Sequence, residues 1–129
     1  MNVTSMKSDN KTARRLLSFI EEFRKLSPNI QAGQIAVFLH IMGEPGISMK
    51  DIERRTGLSS TAVSRNVLAL SEWFKHPRPA VGDHPAVPGE PGHDLVETVE
   101  DPADRRNKIV RPKPKGVRVY NTLIQLLGS

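Results

Sequence analysis

The chain contains no cysteine, which removes disulfides, thiolate nucleophiles, thiol-based redox sensing and cysteine-ligated zinc together. Aromatic residues are scarce, at 5%, so the core must be built mainly from aliphatic side chains. No apolar run approaches the roughly 18 residues that would suggest a bilayer span. The opening residues also lack the charged, apolar and small-residue order of a secretory leader. A cytoplasmic protein with no membrane partner is therefore expected, and 129 residues suit one domain with a modest core. Catalysis finds no support. The serines stand at helix caps or on one exposed helix face, without a base and an orienting acid spaced around them. His76, Asp83, His84 and His93 share one irregular segment and lack the spacing of a rigid ligand set. His40 lies inside an apolar helix, where a core histidine with a hydrogen bond is the ordinary reading. No enzyme activity, metal or cofactor is expected.

Positive charge is what the chain has in excess, with 19 basic residues against 14 acidic ones and a net charge of +5. Its distribution says more than its sum. Arg105, Arg106, Lys108, Arg111, Lys113, Lys115 and Arg118 follow one another with no acidic residue between them. A local cationic stretch of this kind suits a polyanionic partner.

Residues 1–10 are polar and aperiodic and read as a flexible tail, leaving residues 11–129 as the domain. From Thr12, Leu16, Leu17, Ile20, Phe23 and Leu26 recur at helical spacing until Ser27 and Pro28. A second helix, about Asn29 to Met42, is apolar nearly all round and belongs in a core. Gly43, Pro45 and Gly46 then make a loop, and Ile47 adds a residue to a small sheet. Residues 74–93 hold Pro77, Pro79, Pro85, Pro88 and Pro91 with Gly82, Gly89 and Gly92, a composition that predicts a surface loop rather than regular structure. A last helix, about Pro114 to Leu127, carries Val117, Tyr120, Leu123, Ile124 and Leu127.

The informative stretch is Ser48 to Trp73. Ser48 and Asp51 form a serine-x-x-acid capping pair that starts a helix running through Thr56. Gly57 can end that helix in the left-handed conformation, Leu58 plugs the turn, and Ser59 caps the next helix. There, Val63, Val67, Leu70 and Phe74 predict a buried stripe, which turns Ser60, Thr61, Ser64 and Arg65 outward. This is the plan of a helix-turn-helix DNA reader, whose second helix enters the major groove with its N-terminal side chains against base edges. Short hydroxyls and an arginine suit that task, with Arg65 able to hold guanine through two hydrogen bonds. Ser59 at the cap completes the expected reading surface.

Downstream, Leu95 to Glu100 alternates as a half-exposed strand, Asp101 to Arg106 is the expected turn, and Asn107 to Arg111 returns. A helix-turn-helix followed by such a hairpin is a winged helix. At its tip Arg105 and Arg106 stand beside Asp104, a carboxylate placed to aim an arginine into a narrow minor groove. Lys108 and Arg111 on the returning strand, with Lys113 and Lys115 beyond it, read as cations for DNA phosphates.

The order of elements, the T-A-V-S-R run at 61–65 and above all D-P-A-D-R-R-N-K-I-V-R-P-K-P-K-G at 101–116 resemble the MarR family of bacterial winged-helix transcription regulators. The resemblance spans Thr12 to Leu127 in layout and is residue-specific in the recognition helix and wing. It implies an α+β winged helix-turn-helix, mainly α with a small β-hairpin wing and flanking dimerisation helices. It also implies a homodimer whose two recognition helices enter successive major grooves of double-stranded DNA, with Asp104 and Arg106 in the wing's acid and arginine positions. Residues 74–93 replace what is a short join in that family. The expected dimer interface is Leu16, Ile20 and Phe23 with Leu123, Ile124 and Leu127, more apolar surface than the reading unit needs for itself. The expected function is sequence-specific DNA binding by a transcription regulator, more in keeping with a repressor than an activator. The alternative is an interaction or replication module of a plasmid or phage that docks a protein through residues 74–93.

Overall fold

A computed structural model of the chain describes residues 3–128. Met1 and Asn2, the start of the expected tail, lie outside the described residues. The chain packs as two compact units, one of residues up to Ile30 with those from Arg118 onward, the other Gln31–Val117.

In the first unit, α1 (Val3–Arg24) starts well before Thr12 and runs through most of the segment read as a tail. That segment contains neither proline nor glycine, and a helix already nucleated extends at little cost through ordinary polar residues. The chain leaves α1 through a turn in which the Leu26 N–H donates to the Phe23 carbonyl at 3.0 Å. Surface pairs Arg24–Glu21 and Lys25–Glu22, at 2.7 and 2.6 Å, decorate the last turns. The unit's other element is the greater part of α5 (Pro114–Gly128). Phe23 and Leu123 are both only 2% exposed, so each is already covered within the chain. Leu16, Leu17, Ile20, Ile124 and Leu127 remain exposed.

The second unit holds α2 (Ala32–Gly43), β1 (Ile47–Ser48), α3 (Met49–Thr56) and α4 (Ser60–Leu70). Then come β2 (Trp73–Lys75), β3 (Glu90–Pro91), β4 (Val96–Asp101), β5 (Asp104–Pro112) and the first turn of α5. Ser48 caps α3, its Oγ accepting from the Asp51 N–H at 3.0 Å. Gly57 ends that helix at φ 72°, and Ser59 Oγ accepts from the Ala62 N–H at 3.1 Å to start α4. Val37, Phe38, Ile41, Ile52, Val63, Val67, Leu70, Leu95, Val96 and Val110 form the core, each at most 2% exposed.

The sheet has order β1-β5-β4. Ile47 pairs with Val110 and Ser48 with Ile109, while Val96 to Glu100 pair antiparallel with Pro112 to Lys108. Proline is tolerated at 112 because it ends its strand. The register then shifts, and Asp101 pairs with Asp104. The turn is therefore Pro102 and Ala103 alone, and Arg105 and Arg106 belong to the bulged start of β5 rather than to the turn predicted from Asp101 to Arg106. This architecture is the predicted α+β winged helix-turn-helix.

Two further readings of the sequence are corrected. Phe74 is on β2, not on the recognition helix. Four backbone donors of the returning chain take the carbonyls around the end of α4, which stops there. Gly92 donates to Glu72, His93 to Ala69, Asp94 to Ser71 and Leu95 to Leu70, at 2.7–3.0 Å. Residues 74–93 are likewise not an irregular loop but a narrow antiparallel arm. Lys75 pairs with Glu90, Arg78 with Val87 and Val81 with His84. The arm tolerates five prolines because its two-way hydrogen bonds use the non-proline residues Arg78, Val81, His84 and Val87. Its tip is a two-residue turn of Gly82 and Asp83. Gly82 is at φ 56°, whereas Asp83 is not among the positive-φ residues, the pattern of a type II′ hairpin turn in which glycine comes first.

Candidate nucleic-acid interface

With Val63, Val67 and Leu70 turned into the core, α4 presents Ser60, Thr61, Ser64, Arg65 and Leu68 to solvent. Ser59 stays exposed at the cap with its oxygen engaged by the Ala62 N–H. Ser64 and Arg65 face different flanks of α4. Ser64 lines a hollow with Lys50, Arg106, Asn107 and Lys108. Arg65 lines another, with Gln31, Asn66 and Phe74. Ser64 thus lies beside the wing, while Arg65 stands on the side away from it.

The hollow at the wing tip continues into a groove between α4 and β4. Met49, Ser64 and Lys108 are shared with the next hollow, which adds Val67, Leu68, His76, Thr98, Val99 and Glu100. Leu68, His76 and Thr98 are shared in turn with a third, lined also by Glu72, Trp73, Glu97 and Lys113. The groove therefore has a cationic end at the wing tip and carboxylates toward the wing base.

Among the described residues Lys50, Arg65, Arg105, Arg106 and Lys108 make no ion pair. Their charges are free for a polyanion. Lys50 was not found by sequence reasoning. The signal was indirect: Ser48 pairs with Ile109, which brings the start of α3 next to Lys108.

Other predicted cations are engaged. Arg111 Nε lies 2.6 Å from Glu97 Oε1 across the wing strands. Lys113 Nζ is 2.5 Å from Asp94 Oδ1 and 4.0 Å from Glu72 Oε2. The hydrogen bond to Asp94 raises the Lys113 pKa above the usual lysine value, against a smaller desolvation effect. Asp94 itself is held at φ 59°, a conformation that aspartate tolerates better than most residues. Lys113 thus ties the wing base to the end of the arm, which is a different role from the expected free phosphate ligand. Lys115 is exposed on the first turn of α5. Half-buried His93 has its pKa lowered from 6.5, by burial first and the positive charge of Lys115 second.

Asp104 acts differently from expectation. Its Oδ1 accepts from the Arg106 backbone N–H at 3.1 Å and its Oδ2 from Asn107 Nδ2 at 3.5 Å, and among the described residues no arginine guanidinium pairs with it. Short acidic side chains commonly bond the backbone two residues on. The carboxylate fixes the bulge that carries the arginine, not the arginine's head group. Asp101 Oδ1 similarly accepts from the Ala103 N–H at 2.9 Å, so the two aspartates brace the tip.

No group of three or more histidine, aspartate or glutamate residues is placed to hold a metal among the described residues. No helix there is long and apolar enough to cross a membrane.

Residues 25–73, which include the helix-turn-helix, match the model of the MarR family. No curated protein matches the chain in sequence. Solved structures share the fold at low identity. MarR has a TM-score of 0.58 at 19% identity, covering 99% of this chain and 77% of its own. A point variant of Staphylococcus aureus MepR bound to an oligodeoxyribonucleotide has a TM-score of 0.68 at 12% identity, covering 99% and 78%. The Streptomyces coelicolor regulator PcaV, in complex with its natural ligand, has a TM-score of 0.56 at 18% identity, covering 99% and 77%.

Proposed function

We propose that this MarR-like winged helix is a transcription regulator that binds double-stranded DNA sequence-specifically as a homodimer in the cytoplasm and acts as a repressor. The observation that carries the reading is the conjunction at the groove. Ser64 of the reading helix lines one hollow with Lys50, Arg106 and Lys108, three cations with no carboxylate partner among the described residues. Ser60, Thr61, Ser64 and Arg65 read base edges in the major groove. Arg105 and Arg106, carried on the braced bulge, enter the minor groove, and Lys50, Lys108 and Lys115 hold phosphates. The likeness to MepR, whose structure contains an oligodeoxyribonucleotide, supports the same assignment. Exposed Leu16, Ile20, Ile124 and Leu127 form the two-fold contact. Phe23 and Leu123 support that surface from within, since both are already buried.

Fluorescence anisotropy with a random-sequence duplex at two salt concentrations tests the electrostatic part. Three phosphate contacts per protomer in a dimer give a slope of log K against log salt of about −5. A slope near zero, or no binding, removes the reading. In that case a second one stands, favoured by Val81 and Val87, which are 65% and 49% exposed on the arm. These side chains line an apolar hollow with Pro79 and Pro85, a surface suited to docking a protein.

A further inference from the structure

We propose that the arm supplies a DNA contact of its own, His76, which holds a backbone phosphate of the strand lying in the groove between α4 and the wing. The inference rests on the DNA-binding reading above and extends it to an element absent from the helix-turn-helix and wing.

His76 follows β2 immediately, where the arm leaves the end of α4. The arm's return is fastened to that end by the bonds from Gly92, His93, Asp94 and Leu95, so the base of the arm is held even though its tip is exposed. The His76 side chain is exposed and lines both inner hollows of the groove, sharing one with Ser64, Leu68, Thr98 and Lys108. A strand entering over Lys50, Arg106 and Lys108 and passing Ser64 next reaches His76.

The charges along that path make the histidine matter. From β4 the groove receives Glu97 and Glu100, from the end of α4 it receives Glu72, and from the β5 side Lys108 and Lys113. Glu97 is neutralised by Arg111, and Lys113 is held by Asp94. Glu100 makes no ion pair among the described residues and opposes a phosphate. A protonated imidazole at position 76 offsets that repulsion and donates a hydrogen bond to a phosphate oxygen. A phosphate favours the protonated form of the ring that binds it, so the contact strengthens as pH falls through the imidazole range.

The test is anisotropy titration of the full chain with a labelled random-sequence duplex at pH 6 and pH 8. A phosphate that raises an imidazole pKa by about one unit makes binding about sixfold tighter at the lower pH for each protomer engaged, and so about fortyfold for the dimer. The wild type should show that ratio. His76→Gln should lose it, and His76→Lys should bind as tightly at pH 8 as the wild type does at pH 6. His84→Gln and His93→Gln should keep the wild-type ratio. Far-ultraviolet circular dichroism of each variant confirms the fold. The assignment is overturned if His76→Gln retains the wild-type ratio, or if His76→Lys binds no better at pH 8 than His76→Gln does. Absence of duplex binding by the wild type at both pH values would instead overturn the DNA reading, and His76 with it.

Discussion

Replacing Gly116 by alanine sets helix propensity against packing, and the two give opposite signs. Gly116 is in the first turn of α5, where alanine would ordinarily gain about 1 kcal/mol. A β-carbon built there lies 2.1 Å from the Leu95 carbonyl oxygen and 3.0 Å from its carbon. Both are backbone atoms, and Leu95 is fully buried. The same oxygen accepts from the Lys113 N–H at 2.9 Å, and the Leu95 N–H donates to Leu70 at 2.7 Å. The obstacle is therefore tied to α4 as well as to α5 and cannot swing aside as a side chain would. Overpacking of this kind costs about 1–3 kcal/mol, and weakening the Lys113 bond costs about 1 kcal/mol more. After the propensity gain, Gly116→Ala should destabilise by about 2 kcal/mol, lowering Tm by about 6–8 °C for a chain of this size. Urea and thermal unfolding followed by circular dichroism read both quantities. Gly43→Ala is the control, since nothing lies within 4 Å of its added carbon, and it should be neutral or slightly stabilising. A Gly116→Ala variant as stable as the wild type would refute the close approach of α5 to the wing base.

Arg65→Ala should cost about 1–3 kcal/mol at a preferred site and relax base preference there, whereas a uniform loss on all duplexes would make Arg65 a phosphate ligand. Asp104→Ala should weaken DNA binding although it adds positive charge, because it frees the Arg106 backbone, and Asp104→Asn, which keeps an acceptor, should bind at least as tightly as the wild type. Equal behaviour of the two variants in anisotropy would show that the carboxylate's charge alone matters. Ile20→Glu, placing a carboxylate on an exposed apolar face, should convert a dimer to a monomer in sedimentation at micromolar concentration, and a wild-type monomer under the same conditions would remove the two-fold reading. His93 carries a lowered pKa, so below 6.5 the unfolded chain takes up a proton that the folded chain resists. Its contribution to stability is thus present above 6.5 and lost as pH falls toward the folded value. His93→Gln should flatten that loss in urea unfolding between pH 7 and pH 5, and an unchanged profile would refute it.

The helix-turn-helix was legible because its signals are local. Ser48, Gly57 and Ser59 act within four residues of themselves, and Val63, Val67 and Leu70 repeat at one period. The alternating strand at 95–100 was legible for the same reason. What escaped depends on pairing across distance. Gly82-Asp83 between Val81 and His84 was a hairpin signal, but the surrounding prolines outweighed it, and only the bonds at Arg78 and Val87 show how prolines fit such an arm. Phe74 continued the apolar spacing of α4, yet backbone donors from residues 92–95 end the helix before it. The side-chain partners of Arg111 and Lys113, and the approach of Lys50 to Lys108, arise from strand register and arm return, which no run of adjacent residues encodes. Charge type was readable in the wing; which charges remain free was not.

On the proposed function, two copies of the reading helix recognise a defined sequence together. Selection of bound duplexes from a random library by the wild-type chain, at moderate salt and with competitor DNA, tests it most directly. Paired reading helices should enrich a palindrome whose half-sites are about 10 base pairs apart, centre to centre, or a multiple of that. Recovery of duplexes with no shared sequence, from a protein shown to be folded, would contradict it.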